Sequence, residues 1–498
     1  MALWLALHLP ALSLEAFCAT LPPEQSARPV MLVAEHRVDA VNAAAAARGL
    51  KPGQRRATAM ALAADLLIGQ ADPLRDAAAL TAVAHGALAF TPMVCTEGEA
   101  TVLLEVQSTL RLFGGYPKLL LRLRDALAPL GHHLRIAAAP TPRGAAMLAL
   151  WRDGLATGPH VTKLPALQKL LDDAPVWLLG PGREHWEALQ GMGLHTLSDL
   201  RALPRAGLAR RFGEPLLEDL DRALGLAPDP REPLVPPPRF ETRLELFARA
   251  DTTAQVLHGA AIGLARLVAW AQARQARVAA FTLVMHHEAR HRGKAPEDTL
   301  LDIDLAEPSL DADHLQLLLR ERLARVALAA PTLELQLRCH QVVHTALPNG
   351  ELFPTRQSEA QGLVRLIERL RARLGEEQVL RLLPVSDHRP ERACLLVPTS
   401  APATPAPVPG PDGLPLHRPL WLLPVPQALG EREGWPVMEG RVLDLLSGPE
   451  RIESGWWDGA LAARDYFIAA AADGALVWVY RERLPQPGPN WFLQGRFG

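Results

Sequence analysis

Few residues in this 498-residue chain have the types and spacing that catalysis needs. Phosphoryl transfer by two metals requires a carboxylate cluster that brings two cations ~3.5–4 Å apart. The candidate acids, Asp39, Glu97, Glu99 and Glu105, are spread over separate stretches. The opening apolar run, Leu3–Leu9, carries His8 and leads into Pro10, which has no side-chain ligand to offer Mg²⁺. Six histidines (His286, His287, His291, His314, His340, His344) show no zinc-ligand spacing, and Cys18, Cys95, Cys339 and Cys394 form no CxxC pair. No nucleophile–base set is recognisable. The expectation is a protein without catalytic residues, metal or cofactor.

Binding chemistry is better represented. In Gly180-Pro181-Gly182-Arg183 a Gly-h-Gly turn lets backbone N–H groups approach a phosphate at a helix start, although Pro181 removes one donor. The alternative is a plain helical corner. The run from His286 to Lys294, with Arg290 and Arg292, lies beside Arg274 and Arg277 and is either a phosphate-neutralising patch or a solvated loop. A formal charge of −2 gives no global attraction to nucleic acid, so contact must come from such local patches.

At this length three or four domains are expected, and 49% hydrophobic with 21% charged residues describes an ordinary globular protein. Scattered cysteines fit a reducing cytoplasm. The apolar N-terminus lacks a basic leader and is interrupted by His8, Pro10 and Glu15, so it is not read as a signal peptide. No uninterrupted apolar run is long enough to suggest a membrane helix.

Short β-like runs (Leu3–Leu9, Val30–Ala34, Thr101–Val106, Leu134–Ala138) alternate with helical stretches (Asp39–Arg48, Thr58–Leu67, Ala77–Leu88, Tyr116–Leu130, Gly144–Trp151), an α+β pattern. Helices then dominate to about residue 243, and Pro228–Pro238 reads as a stiff linker. Beyond it come a helix at Thr253–Arg274, strands at Ala279–His286 and Thr332–His340, and a helix at Asp311–Leu328. Leu363–Leu374 is a basic amphipathic helix ending at Gly375. The stretch Pro398–Pro426 is a proline-rich spacer, and an aromatic, β-forming module closes the chain.

Several blocks resemble the Y-family (translesion) DNA polymerases. The first strand with His8 and Pro10 is similar to the block that carries Asp-x-Asp. Arg48-Gly49-Leu50-Lys51-Pro52-Gly53 is similar to the end of the triphosphate-gripping block, which puts its tyrosine and arginine on Ala43 and Ala46. Thr101–Val106 with Leu112-Phe113-Gly114-Gly115 resembles the Ser-h-Asp-Glu strand, with Ala100 and Thr101 on the metal-binding pair and Glu105 on the last aspartate. The resemblance implies a palm whose site is dead. Leu178–Leu200 resembles the thumb's helix–hairpin–helix, with Gly180, Gly182 and Arg183 as DNA contacts. The following domain resembles the little finger, with Arg274, Arg277, Arg290 and Arg292 toward DNA.

Asn349-Gly350-Glu351-Leu352-Phe353 resembles the Gln-x-x-Leu-Phe peptide that docks into the sliding clamp, through Asn349, Leu352 and Phe353. It reads equally as a segment folding back on its domain. His388-Arg389-Pro390-Glu391 and the block Gly448–Trp457 resemble the catalytically silent branch of the Y family that serves the bacterial damage-inducible mutasome. That implies an adaptor for primer–template DNA, the sliding clamp, a RecA-like partner and an error-prone C-family DNA polymerase, located in the cytoplasm at the nucleoid. Trp456, Trp457, Trp478 and Trp491 are candidate partner contacts, or simply the core of the module.

Domains are expected at 1–165 (palm and fingers-like), 166–243 (thumb-like), 244–346 (little-finger-like), 347–397 (clamp motif and basic helix), 398–426 (linker) and 427–498 (partner-binding module). The competing expectation is an active translesion polymerase using Asp39, Glu97, Glu99 or Glu105 as relocated acids.

Overall fold

The computed structural model describes residues 2–25, 27–63, 65–289, 297–344, 356–399, 418–485 and 488–497. The chain forms two compact units, Met1–Arg369 and Leu370–Gly498.

In the first unit, β1 (Trp4–His8) is buried throughout because both faces are covered. Leu5 and Leu7 enter one core, and Trp4 and Ala6 enter another. After α1 (Leu12–Cys18), a small sheet forms from β2 (Val30–Ala34), β3 (Arg37–Val41) and later β4 (Leu67–Gln70), in the order β3-β2-β4. Between β3 and β4 lie α2 (Ala43–Ala47) and α3 (Arg56–Leu62). The helix expected over Asp39–Arg48 is therefore shorter. The Glu35-His36 turn folds Arg37–Val41 back onto β2, and Asn42 starts α2 by accepting a hydrogen bond from the Ala45 N–H.

Asp72 caps α4 (Pro73–Leu88), after which come β5 (Val94–Glu97), β6 (Thr101–Glu105), α5 (Tyr116–Leu127), β7 (Arg135–Ala139) and α6 (Pro142–Trp151). The palm sheet is antiparallel in the order β5-β6-β1-β7. Helices α4 and α5 cover one face, and α6 covers the other.

Six helices follow: α7 (Leu164–Asp172), α8 (Gly180–Glu184), α9 (Trp186–Gly191), α10 (Leu197–Arg201), α11 (Arg205–Phe212) and α12 (Glu214–Leu224). They do not form a separate core. Trp4, Leu103 and Ala137 of the palm share one apolar cluster with Leu171, Leu197, Leu208 and Leu220. The proline-rich segment after α12 is strapped to its surroundings. The Leu234 N–H donates to Val94 O at 2.7 Å, and Pro237 O accepts from Trp270 Nε1 at 2.9 Å.

The third body is β8 (Phe240–Ala250), α13 (Thr253–Ala273), β9 (Arg277–His287), β10 (Thr299–Ser309), α14 (Ala312–Leu323) and β11 (Thr332–Val343). Its antiparallel order is β10-β9-β11-β8. Among the described residues, α13 alone has the length and apolarity of a membrane span. It is a core helix, with Trp270 and Leu267 buried and Gly259 letting Leu246 and Leu335 approach closely. Helix α15 (Arg356–Leu374) sets the buried Glu368 2.8 Å from His314 Nε2.

In the second unit, β12 (Leu380–Pro384) pairs with β13 (Cys394–Pro398). Strand β14 (Trp421–Ala428) is followed by the short meander β15 (Gly430–Arg432), β16 (Trp435–Met438) and β17 (Arg441–Val442). Then come β18 (Asp444–Ser454), β19 (Ala462–Ala470), β20 (Leu476–Glu482) and β21 (Trp491–Arg496), giving a five-stranded sheet in the order β14-β21-β20-β19-β18. Side chains alternate along β20: Val477 and Val479 enter one core, Trp478 and Tyr480 the other. The module starts earlier than the expected residue 427, because Trp421 and Leu422 already pair with Arg496 and Gly495, and the prolines fall in the irregular stretch before Gln427, at an edge where lost donors are tolerated.

Candidate functional site

The palm strands bring two expected metal-ligand positions face to face. β1 and β6 run antiparallel with His8 opposite Thr101 and Trp4 opposite Glu105. His8 Nδ1 and Thr101 Oγ1 are hydrogen-bonded at 3.0 Å, and the two residues are only 9% and 7% exposed. Burial, with Arg135 and Arg183 nearby, lowers the His8 pKa against a smaller opposing bond from Ala100. The imidazole is therefore neutral near neutral pH. Where two carboxylates would share a cation, a neutral pair satisfies itself.

The relocated acids do not gather. Glu105 sits at the far end of the strand pair, about 13 Å from His8 at four residues of rise. Its Oε1 accepts the N–H groups of Leu3 and Gln107 at 3.3 and 3.1 Å. Glu97 is held by Arg143 and Arg231, and Asp39 lies on β3 in the other sheet. Glu99 lines the cleft beside His8. Among the described residues no group of three His, Cys, Asp or Glu could hold a metal ion.

This cleft, about 730 Å³, runs from His8 and Thr101 to the thumb residues Trp177, Arg183 and Asp219. Arg143 stands at its side, placed by the start of α6, where Thr141 accepts the Gly144 N–H. Its guanidinium contacts Glu97 at 2.8 Å, Asp219 at 2.7 Å and Leu178 O at 3.1 Å. Its own N–H donates to Asp229. Arg231 ties Glu97 to Asp229, the latter at 2.7 Å. Five charged side chains thus join β5, α6, α12 and the proline-rich strap. Asp219, Asp229 and Arg231 escaped sequence reasoning, because nothing local distinguishes them from surface charges.

The expected DNA contacts divide. The Gly180 N–H is taken by a side chain of the protein itself, donating to Asp219 Oδ2 at 3.0 Å. Gly182 is buried, and a Cβ there would lie 2.4 Å from Val176 O, so glycine serves close backbone packing. Gly180 is therefore corrected from a phosphate donor to an internal bond, Gly182 is required as glycine by close backbone packing, and Arg183 stays exposed, 5.8 Å over the Trp177 ring at the cleft. Arg274 donates to Pro237 O at 3.2 Å and stacks on Trp270, and Arg277 is half-buried at the start of β9. Arg290 and Arg292, and the clamp-motif residues Asn349, Leu352 and Phe353, lie outside the described residues.

In the second unit the four tryptophans separate into two kinds. Trp478 and Trp491 are 2% and 3% exposed and form the core, which corrects their assignment as partner contacts. Trp456 and Trp457 are 78% and 56% exposed and meet edge-on at 5.4 Å. Their loop is stapled by Arg389, whose buried guanidinium binds Asp387 and Asp458, the latter at 2.7 and 3.0 Å, and Ala460 O at 3.0 Å. Those hydrogen bonds hold Asp458 down to a pKa of about 2. The His-Arg-Pro-Glu motif is thus the anchor of the Trp-Trp loop, and Glu391 adds a bond to Arg464 at 2.9 Å.

A palm sheet with flanking helices, a helical thumb and a βαββαβ body, in this chain order, make a multidomain α+β protein of the Y-family polymerase-like class. No family model matches the chain. Protein ImuB from Caulobacter vibrioides (strain NA1000 / CB15N) is 31% identical over 473 residues, covering 90% of this chain and all of that protein. The same holds for Protein ImuB of strain ATCC 19089. The chain belongs to the ImuB family. Among solved structures, a Dbh ternary complex is 15% identical with a TM-score of 0.38, covering 68% of this chain and 98% of that one. DinB from Sulfolobus solfataricus is 15% identical with a TM-score of 0.36 over the same shares.

Proposed function

We propose that the chain is a non-catalytic, Y-family polymerase-like adaptor in damage-induced translesion synthesis and mutagenesis. It holds primer–template DNA, docks on the sliding clamp and recruits a RecA-like ImuA partner and an error-prone C-family DNA polymerase, in the cytoplasm at the nucleoid. The observation that carries this is the His8–Thr101 hydrogen bond in the place of a carboxylate pair. Electrostatic stabilisation of a transferring phosphoryl group depends on charge held in place beforehand, and a neutral pair supplies none. The exposed Trp456–Trp457 loop on its Arg389 staple supports recruitment, since a rigid aromatic pair makes a binding anchor of low ordering cost. Three weak contacts joined in one chain raise effective concentration, so none need be tight.

The test is primer extension by the purified chain with Mg²⁺ or Mn²⁺ and all four deoxynucleotides, beside DNA binding in the same buffer. Binding without extension is expected. Extension that disappears on Glu99→Ala or Glu105→Ala would refute the proposal in favour of an active polymerase.

A further inference from the structure

The fingers-like sheet carries a basin of about 440 Å³ lined by Glu35, His36, Arg37, Arg55, Arg56 and Met60. Backbone pairing forces its charges together. Arg37 and Arg55 are direct partners in an antiparallel bridge, and the Arg56 N–H donates to His36 O at 3.0 Å. Like charges placed directly opposite across a bridge are destabilising. Glu35 is the one carboxylate lining the basin, and among the described residues neither Arg55 nor Arg56 has a side-chain hydrogen bond or ion pair. The nearby arginines are otherwise employed: Arg48 pairs with Asp65, and Arg28 donates to Asp65 O. The turn that presents His36 is strained as well. Glu35 and His36 have φ of 47° and 66°, in a two-residue hairpin turn where Asn-Gly is the usual choice. One wall is apolar, with Met60 46% exposed.

We infer that this basin is a binding site for the phosphate backbone of single-stranded DNA, with an unpaired base lying on Met60 or on a guanidinium plane. Three arginines set against a single carboxylate call for a phosphate ligand, and the apolar wall calls for a base face, which only an unpaired strand exposes. The site deepens the proposed DNA grip and rests on it. It would hold template ahead of the duplex, away from the palm cleft.

The test uses the full chain and fluorescence anisotropy with two probes, a blunt duplex and the same duplex with a single-stranded 5′ extension. The variants are R55A/R56A and R55K/R56K; both side chains are exposed, so the fold is retained. Each single-strand phosphate contact adds roughly 0.7 to the salt slope, so R55A/R56A should lower the slope for the extended probe by about 1.4. Between 50 and 200 mM salt, wild type should then lose roughly sevenfold more affinity for that probe than the variant does. The blunt probe should be bound alike by both, and the lysine variant should restore the slope. An unchanged slope and extension preference in R55A/R56A would overturn the site alone. Failure of wild type to bind either probe would overturn the DNA grip and the site together. Displacement of the extension by a free deoxynucleoside triphosphate, at concentrations that leave blunt-duplex binding intact, would replace the strand with a nucleotide and overturn the inference.

Discussion

Arg143 is the point at which palm and thumb can be unlocked. Replacing it with alanine removes the guanidinium from Glu97, Asp219 and Leu178 O at once. The three side chains are 12%, 22% and 14% exposed for Arg143, Glu97 and Asp219, so the charges left behind are largely desolvated. Breaking a buried pair from one side costs about 3–5 kcal/mol. Here Glu97 keeps Arg231, and Asp219 keeps the Gly180 N–H, which places the expected loss near the lower end, about 3 kcal/mol. That corresponds to roughly a 100-fold rise in local opening. A chain of several bodies does not unfold in one step, so amide hydrogen exchange is the right assay. Protection in α8 and α12 should fall by that factor, while β19–β21 in the second unit keep theirs. Arg143→Met combined with Asp219→Leu should recover most of the protection, because an apolar pair of similar volume can replace a buried ion pair. Unchanged protection in α12, or a uniform fall along the whole chain, would refute the keystone role.

Burial lowers the His85 pKa to about 4, whereas an unfolded histidine titrates near 6.5. Between those values the unfolded state binds more protons, so stability rises with pH across the window. Amide hydrogen exchange in α4, corrected for the intrinsic rate, should show a loss of about 3 kcal/mol from pH 6.5 down to pH 4 that His85→Gln removes. Gly182→Ala should destabilise the thumb by about 1–3 kcal/mol through the clash with Val176 O, whereas Gly180→Ala, whose nearest neighbour would be 4.0 Å away, should be close to neutral in thermal unfolding. Trp456→Ala should leave thermal stability unchanged while abolishing capture of the C-family polymerase, whereas Trp478→Ala should cost about 3–5 kcal/mol; retained capture by Trp456→Ala would move the docking site. Leu352→Ala with Phe353→Ala should abolish binding to the sliding clamp in surface plasmon resonance and leave DNA binding intact.

Three of the four palm strands, β1, β6 and β7, are legible in the sequence because each is a short apolar run, mostly buried and bounded by turn residues, whereas β5 escaped because only Val94 and Cys95 of its four residues are buried. Strand β3 was hidden because its turn uses Glu35-His36 rather than a glycine pair, and β4 because four residues containing Gly69 carry little pattern. That His8, Pro10, Ala100 and Thr101 carry no carboxylate could be read from residue types once the resemblance marked those positions. What they form instead could not, since the His8–Thr101 bond joins residues 93 apart and exists only once β1 and β6 are paired in register. The ion network was equally hidden, because Asp229 and Arg231 sit in a proline-rich stretch that resembles a free linker until Leu234 is seen bonded to Val94. Glycine spacing is ambiguous for a related reason. A Gly-h-Gly spacing fits both an approaching phosphate and an approaching backbone, and Gly182 meets the backbone of Val176.

The staple at Arg389 changes where this protein can be cut. Composition invites scission in the proline-rich stretch, so that everything downstream is taken as a self-sufficient piece. Asp387 and Arg389 lie upstream of that stretch, and the loop they fasten, at Asp458 and Ala460, lies downstream. A downstream piece would keep both exposed tryptophans and lose what aims them. Truncation mapping of partners would then score a missing clasp as a missing contact, and a boundary drawn before residue 387 is the one that keeps the two apart.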